Sequence, residues 1–215
     1  PFRSLKAFMI RFAVIGTNWI TRQFVDAAHE TGKYKLTAVY SRSLEQAQTF
    51  ANDYPVEHLF TSLEAMAQSE AIDAVYIASP NSLHFPQTEL FLRHKKHVIC
   101  EKPFTLLAEE LEDLVSIAGE KKLFLLEAIT NQYLGNFHFI KENLDKLGDV
   151  KIVSCNYSQY SSRYDAFKRG EIAPAFNPEM GGGALRDLNI YNIHLVVGLF
   201  GQPQSVQYLA NMERG

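Results

Sequence analysis

A chain of 215 residues, 47% hydrophobic and 21% charged, is long enough for one large globular domain or one domain and part of another. Its formal net charge of -3, without a long basic run, argues against nucleic-acid binding, and no apolar run reaches the roughly 20 residues of a membrane span. Two cysteines, Cys100 and Cys155, are too few for a disulfide framework or a zinc site, so a reducing, cytoplasmic setting is expected.

In chain order, the opening PFRSLKAF lacks the apolar core of a signal peptide and reads as an extension upstream of Met9. Five short runs follow: RFAVIG, YKLTAVYS, DAVYIAS, KHVICE and LFLLEA. They are continuously apolar rather than alternating, as parallel strands covered on both faces are. Helices are expected between them, over 19–31, 44–53, 62–68, 85–95 and 108–121. Ser43 with Gln46, and Thr61 with Glu64, have the spacing of capping boxes. Such a β-α series predicts an α/β fold, a doubly wound parallel sheet of the Rossmann kind.

The first turn is VIGTNWI. A dinucleotide turn carries G-x-G-x-x-G, and only Gly16 is a glycine here; Asn18 and Thr21 hold the other two places. Asn tolerates positive φ, so Asn18 is expected to keep the turn conformation and to meet a pyrophosphate or crowd it. The glycine pattern alone fits an ordinary strand-to-helix turn equally well. The second strand ends in Ser41, Arg42 and Ser43 with no acid, which favours NADP over NAD. ASPNSLH and CEKP place Ser79, Pro80, Asn81, His84, Glu101 and Lys102 at the carboxyl edge of the same sheet, where ligands bind. The cofactor-binding set is therefore Gly16, Thr17, Asn18, Trp19, Ile20, Ser41, Arg42, Ser79, Pro80, Asn81, His84, Glu101 and Lys102.

The pattern changes near residue 130. A helix is expected over 137–147, then a one-sided strand in VKIVSCNYSQY, a loop over 161–180, a long apolar helix over 184–200 after GGG, and a further strand beginning in PQSVQYLANMERG. The boundaries are 9–129 for a nucleotide-binding domain and 130–215 for part of a second domain, in a fragment of a longer protein. The apolar helix should be buried, because apolar residues fall on almost every side. Asp187, Tyr191 and His194 share one of its faces at i, i+4 and i+7.

VIGTNWI, AVYSRS, YIASPNSLH, CEKP and GGGALRDLNIY together resemble the glucose–fructose oxidoreductase, inositol dehydrogenase and rhizopine-catabolism family (Gfo/Idh/MocA) from Met9 onward. The resemblance implies a Rossmann domain followed by an α+β domain with a mostly antiparallel sheet. It implies NAD(P)-dependent hydride transfer at a hydroxyl or carbonyl of a sugar, polyol or diol. It makes Lys102, Asp187 and Tyr191 catalytic, and Lys102, Asp187, Tyr191 and His194 the substrate contacts. It also implies a dimer or tetramer of the full-length protein. Tyr191 in D-x-x-x-[HY] resembles the dihydrodiol dehydrogenase and glucose–fructose oxidoreductase branches more than the inositol dehydrogenases. Three positions depart from the family: Asn18, Asn189, and the segment with Thr130, Gln132 and Gly135 where E-A-x-W-T-R-F-x-P is common.

In the oxidation direction a base must take the hydroxyl proton as hydride leaves. Tyr191 is the candidate, its phenolate favoured by the Lys102 charge, with Asp187 orienting Lys102 or the substrate. Lys102 as the proton carrier is the other assignment. A non-catalytic NADP-binding regulator of the same fold is the alternative function; a methyltransferase would leave CEKP and the second-domain helix without a job. No metal site is expected, since His84, His94 and His97 lie in different elements.

Overall fold

The computed structural model describes residues 9–212, so the upstream extension 1–8 lies outside the described residues. Its sheet has six parallel strands: β1 (Ile10–Ile15), β2 (Tyr34–Tyr40), β3 (His58–Phe60), β4 (Ala74–Ile77), β5 (His97–Glu101) and β6 (Leu125–Ala128). The spatial order is β3-β2-β1-β4-β5-β6. The order reverses between β1 and β4, and a crevice opens there at the carboxyl ends of the strands. The helices between the strands are α1 (Trp19–Glu30), α2 (Leu44–Ala51), α3 (Leu63–Gln68), α4 (His84–Arg93) and α5 (Ala108–Lys121).

β1 shows why the strands read as unbroken apolar runs. Phe12 and Val14 join the core on one face with Val25, Phe50 and Tyr76. Ala13 and Ile15 join the core on the other with Met66, Phe91, Leu92 and Leu114. Successive side chains point to opposite faces and both faces are covered, so every position must be apolar. β3 was not expected; its three residues pair only with β2, at the sheet's edge.

The expected cap at Ser43 is present, its side chain accepting from the Gln46 amide. At α3 the cap falls on Ser62 rather than Thr61: Ser62 is extended and accepts from the Ala65 amide. One residue decides it, because only the last non-helical residue can reach back to the first turn.

The described residues divide into two compact units, 9–128 with 161–187, and 129–160 with 188–212. In the first unit, α7 (Tyr164–Lys168) and two short turns lead to the glycine run. The glycines are needed for close approach. A Cβ on Gly182 would lie 2.6 Å from the Pro174 carbonyl oxygen, and one on Gly181 would lie 2.5 Å from Leu106.

The second unit contains α6 (Gly135–Asn143) and α8 (Ile190–Phe200). Gly198 faces Phe137, where a Cβ would come within 2.8 Å of the ring. The strands expected from residue 150 and from residue 203 are not formed, and among the described residues this unit contains no antiparallel sheet. A strand needs a partner to take up its amides, and none is paired here. The expectation of a buried α8 is corrected for the same reason. No residue of α8 is fully buried, and Ile193 and Phe200 are 41% and 42% exposed. A helix apolar all round needs cover on every side.

Leu185–Asn189 form a π-helical turn, and the 3.6-residue period begins only at Ile190. Within α8, Tyr191 and His194 stand three positions apart, the spacing of one helix face.

Candidate functional site

Three strand ends line a cleft of about 370 Å³: Ile15, Gly16, Thr17 and Asn18 at the end of β1; Tyr40, Ser41 and Arg42 at the end of β2; Ala78, Ser79 and Pro80 after β4; with Gln46, Leu83 and Gln87 from the segments that follow. Gly16 has φ +97°, and a Cβ there would lie 2.6 Å from the Ala78 carbonyl oxygen. The strand-end backbones of β1 and β4 meet at that point, and only glycine fits.

Asn18 behaves otherwise than expected. Its φ is -82° and its ψ 179°, extended rather than positive. Its Oδ1 accepts from the Thr21 amide at 3.2 Å and from the Thr21 hydroxyl at 3.3 Å; its Nδ2 donates to the Ala78 carbonyl at 3.3 Å. Asn18 is thus the N-cap of α1 and a tie to β4. A second turn glycine could do neither. The cap leaves the Trp19 and Ile20 amides of the first turn unclaimed, at the positive end of a 12-residue helix. Thr21, at the third fingerprint place, is fully buried.

The lip after β2 and β4 is held by two glutamines that sequence reasoning missed. Ser41 donates to Gln46 Oε1 at 3.0 Å, and Ser79 donates to Gln87 Oε1 at 2.7 Å. A helix glutamine facing a strand-end serine has no pattern in sequence. Gln87 is only 6% exposed. The Arg42 side chain is exposed and makes no hydrogen bond or ion pair among the described residues.

The residues after β5 form a held turn. Lys102 Nζ donates to Asp187 Oδ1 and to the Asp187 carbonyl, each at 2.8 Å, with side chains 14% and 35% exposed. The Lys102–Pro103 peptide is cis. Glu101 accepts from the Tyr76 hydroxyl at 2.6 Å and from the Lys102 amide at 3.3 Å. Burial raises the Glu101 carboxyl above the ordinary range, against the lowering pull of the Tyr76 hydroxyl and the Lys102 amide and charge. Glu127 accepts from the Phe104 amide at 3.2 Å.

Six residues expected at the cofactor, Trp19, Ile20, Asn81, His84, Glu101 and Lys102, do not line this cleft. Glu101 faces Tyr76 beneath the turn. Asn81 donates to the Gly181 carbonyl at 2.9 Å. His84 is fully buried between two carbonyls, Pro103 at 2.8 Å and Ser79 at 3.0 Å.

In the second unit, α8 is gripped by the segment that departs from the family pattern. Asn131 donates to the Tyr191 carbonyl at 2.8 Å, and Gln132 donates to the His194 carbonyl at 2.7 Å. The Tyr157 and Tyr191 rings meet edge to face at 5.4 Å. Among the described residues, no group of three or more His, Cys, Asp or Glu side chains is gathered for a metal, and no helix is long and apolar enough to cross a membrane.

The arrangement of the first unit can cradle a diphosphate against α1, offer a guanidinium to an anion beyond β2, and hold an ammonium beside a carboxylate after β5. Comparison with known proteins agrees with that chemistry. Residues 10–128 match an oxidoreductase family with an NAD-binding Rossmann fold, GFO_IDH_MocA, and residues 140–215 match the C-terminal domain of the same family. An uncharacterized oxidoreductase of Escherichia coli (strain K12), YgjR, is 60% identical over 204 residues, 95% of this chain and 62% of that protein. The scyllo-inositol 2-dehydrogenase (NADP(+)) IolU of Bacillus subtilis (strain 168) is 48% identical over 199 residues, 93% of this chain and 61% of that protein. The chain thus spans about three fifths of the length of these relatives. The crystal structure of apo scyllo-inositol dehydrogenase from Lactobacillus casei superposes with a TM-score of 0.74 at 21% identity, covering 91% of this chain and 56% of that one, which shows a common fold.

Proposed function

The chain belongs to the Gfo/Idh/MocA family of NAD(P)-binding oxidoreductases, and from that premise we propose that it is the cofactor domain (9–129) and part of the substrate domain (130–215) of an NADP-preferring dehydrogenase acting on a CH–OH group of a polyol, sugar or diol. The observation that carries the proposal is the Lys102–Asp187 pair, held at 2.8 Å after β5 in the unit that also contains the cleft. The 48% identity to an NADP-dependent inositol dehydrogenase supports a cyclic polyol as the substrate.

A nicotinamide dinucleotide fits the residues present. Gly16 leaves space that a Cβ would close, the first-turn amides of α1 face a phosphate, and Arg42 is available for a 2′-phosphate with no competing acid after β2. Bound there, the cofactor supplies the hydride acceptor. Lys102, paired with Asp187, holds the oxygen that becomes alkoxide-like as its proton departs. Tyr191 takes that proton in this reading, and His194 holds a neighbouring hydroxyl. Asp187 fixes the direction of the Lys102 ammonium, which a lone lysine on four rotatable bonds would not keep.

The test is NADP+ reduction by the full-length protein, followed at the absorbance of the reduced nicotinamide, with scyllo- and myo-inositol, aldoses and vicinal diols. Turnover with a polyol and a lower KM for NADP+ than for NAD+ is expected. Cofactor binding without turnover on any of them would overturn it in favour of a non-catalytic binding protein.

A further inference from the structure

His84 is the first residue of α4 and is fully buried. Nδ1 lies 2.8 Å from the Pro103 carbonyl oxygen and Nε2 lies 3.0 Å from the Ser79 carbonyl oxygen. Both contacts are to pure acceptors. A neutral imidazole has one N–H and can satisfy one of them; the other then faces lone pair to lone pair. Only the imidazolium donates to both.

The two carbonyls belong to the two halves of the site. Pro103 follows Lys102 directly, and Ser79 lies at the lip of the cleft. The Lys102–Phe104 turn has its other groups fixed: the Lys102 amide by Glu101, the Lys102 ammonium by Asp187, and the Phe104 amide by Glu127. His84 is the side chain that joins this turn to the β4 lip. We propose that His84 is a positioning residue, bonding the Pro103 and Ser79 carbonyls so that the Lys102 turn and the cofactor lip keep one spacing. This rests on the proposed function for its effect on turnover, though not for its geometry.

Charge around the ring makes the brace responsive to pH. Burial pulls the imidazole below its ordinary value, and the Lys102 charge adds to that; the two carbonyls and Glu127, from β6, pull the other way. At alkaline pH one proton serves two carbonyls, so one bond is lost at any moment. Acidification supplies the second proton and closes both.

The experiment uses the full chain and two readouts that need no turnover. In the wild type, 15N-histidine NMR should show the His84 ring nitrogens protected from solvent, with one proton at high pH and two hydrogen-bonded protons at low pH. Second, NADP+ is titrated by fluorescence of Trp19, the chain's single tryptophan and the first residue of α1. His84→Gln offers a single nitrogen and can reach one carbonyl only. The ratio of its Kd to the wild-type Kd should be larger at pH 5.5 than at pH 8.5 by about fivefold, the worth of one hydrogen bond. The phosphate's own titration is common to both proteins and cancels. A ring that stays in one neutral tautomer from pH 5 to 9, or a folded His84→Gln protein with wild-type Kd at both pH values, would overturn the proposal. If His84→Gln does not fold, the wild-type spectrum alone decides. Absence of turnover on every polyol would strike the proposed function and leave both readouts standing.

Discussion

Lys102 donates twice to one residue: its Nζ reaches both the Oδ1 and the main-chain carbonyl of Asp187, at 2.8 Å each, across 85 positions of sequence. The Lys102 side chain is only 14% exposed, so its partner matters more than a surface partner would. Asp187→Ala removes the carboxylate and keeps the carbonyl. The full-length variant should lose on the order of 10²-fold in kcat with a smaller change in NADP+ affinity. Lys102→Met should lose more. Steady-state kinetics with separate cofactor titration checks both, and an Asp187→Ala enzyme with unaltered kcat removes Asp187 from the chemistry.

Arg42 is an exposed guanidinium at the end of β2, without a partner among the described residues. Arg42→Ala should raise the KM for NADP+ by roughly 10- to 100-fold, the worth of a charge-assisted contact, and leave the KM for NAD+ nearly unchanged. An equal rise for both cofactors would place Arg42 away from the 2′-phosphate.

Gly16→Ala puts a methyl 2.6 Å from the Ala78 carbonyl oxygen at a φ of +97°. The strain is about 1–3 kcal/mol, and relieving it means parting β1 from β4 at the site itself. Thermal unfolding should move down by several degrees and NADP+ quenching of Trp19 should vanish. Asn18→Gly is the companion variant. It loses a few tenths of a kcal/mol at the cap and roughly 1 kcal/mol with the tie to Ala78, measured by urea unfolding.

At the other end of the sheet, Arg11 clamps Asp73 with Nη2–Oδ1 at 2.6 Å and Nε–Oδ2 at 3.1 Å. The Arg11 hydrogen bond holds the Asp73 carboxyl below its ordinary value, against its partial burial. A carboxyl lowered on folding stabilises above its unfolded pKa of about 3.9, and that contribution is lost as pH falls through the lower folded value. Asp73→Asn should therefore unfold at lower urea than wild type at pH 7, with the gap closing below about pH 4. A gap constant with pH would mean the clamp acts by shape alone.

Cys100 lies in β5, fully buried, and burial pushes its thiol well up from its ordinary value. Cys155 is free and partly exposed. A chromogenic disulfide reagent should titrate one thiol in the native chain and the second only on denaturation.

The strands that build the cleft were legible because parallel strands buried on both faces leave an unbroken apolar run with sharp ends. The residues just past those ends could be named for the same reason. β3 escaped because three edge residues with His58 exposed carry no such run. Asn18 was misjudged through its φ. Its cap on Thr21 is local, but its bond to Ala78 depends on a strand 60 positions away. The places of Glu101 and His84 beneath the lip are not legible, because sequence shows which edge a residue reaches and not whether it lies in the cleft or under it. The π turn at Leu185–Asn189 inserts no unusual residue type, so an α-helical period was read straight through it. The strands expected after residue 150 had the right alternation, but alternation states a readiness to pair, and pairing needs a second strand.

The six strands are complete at Ala128, whereas the glycine run that returns to Asn81, and Asp187 after it, come more than fifty residues later in the chain. Chains emerge from the ribosome N-terminus first and fold in that order. The nucleotide cleft can thus exist on a nascent chain before the partner of Lys102 has been made. An early dinucleotide would bind and steady the strand ends before the side chain that fixes the direction of the Lys102 ammonium has been made.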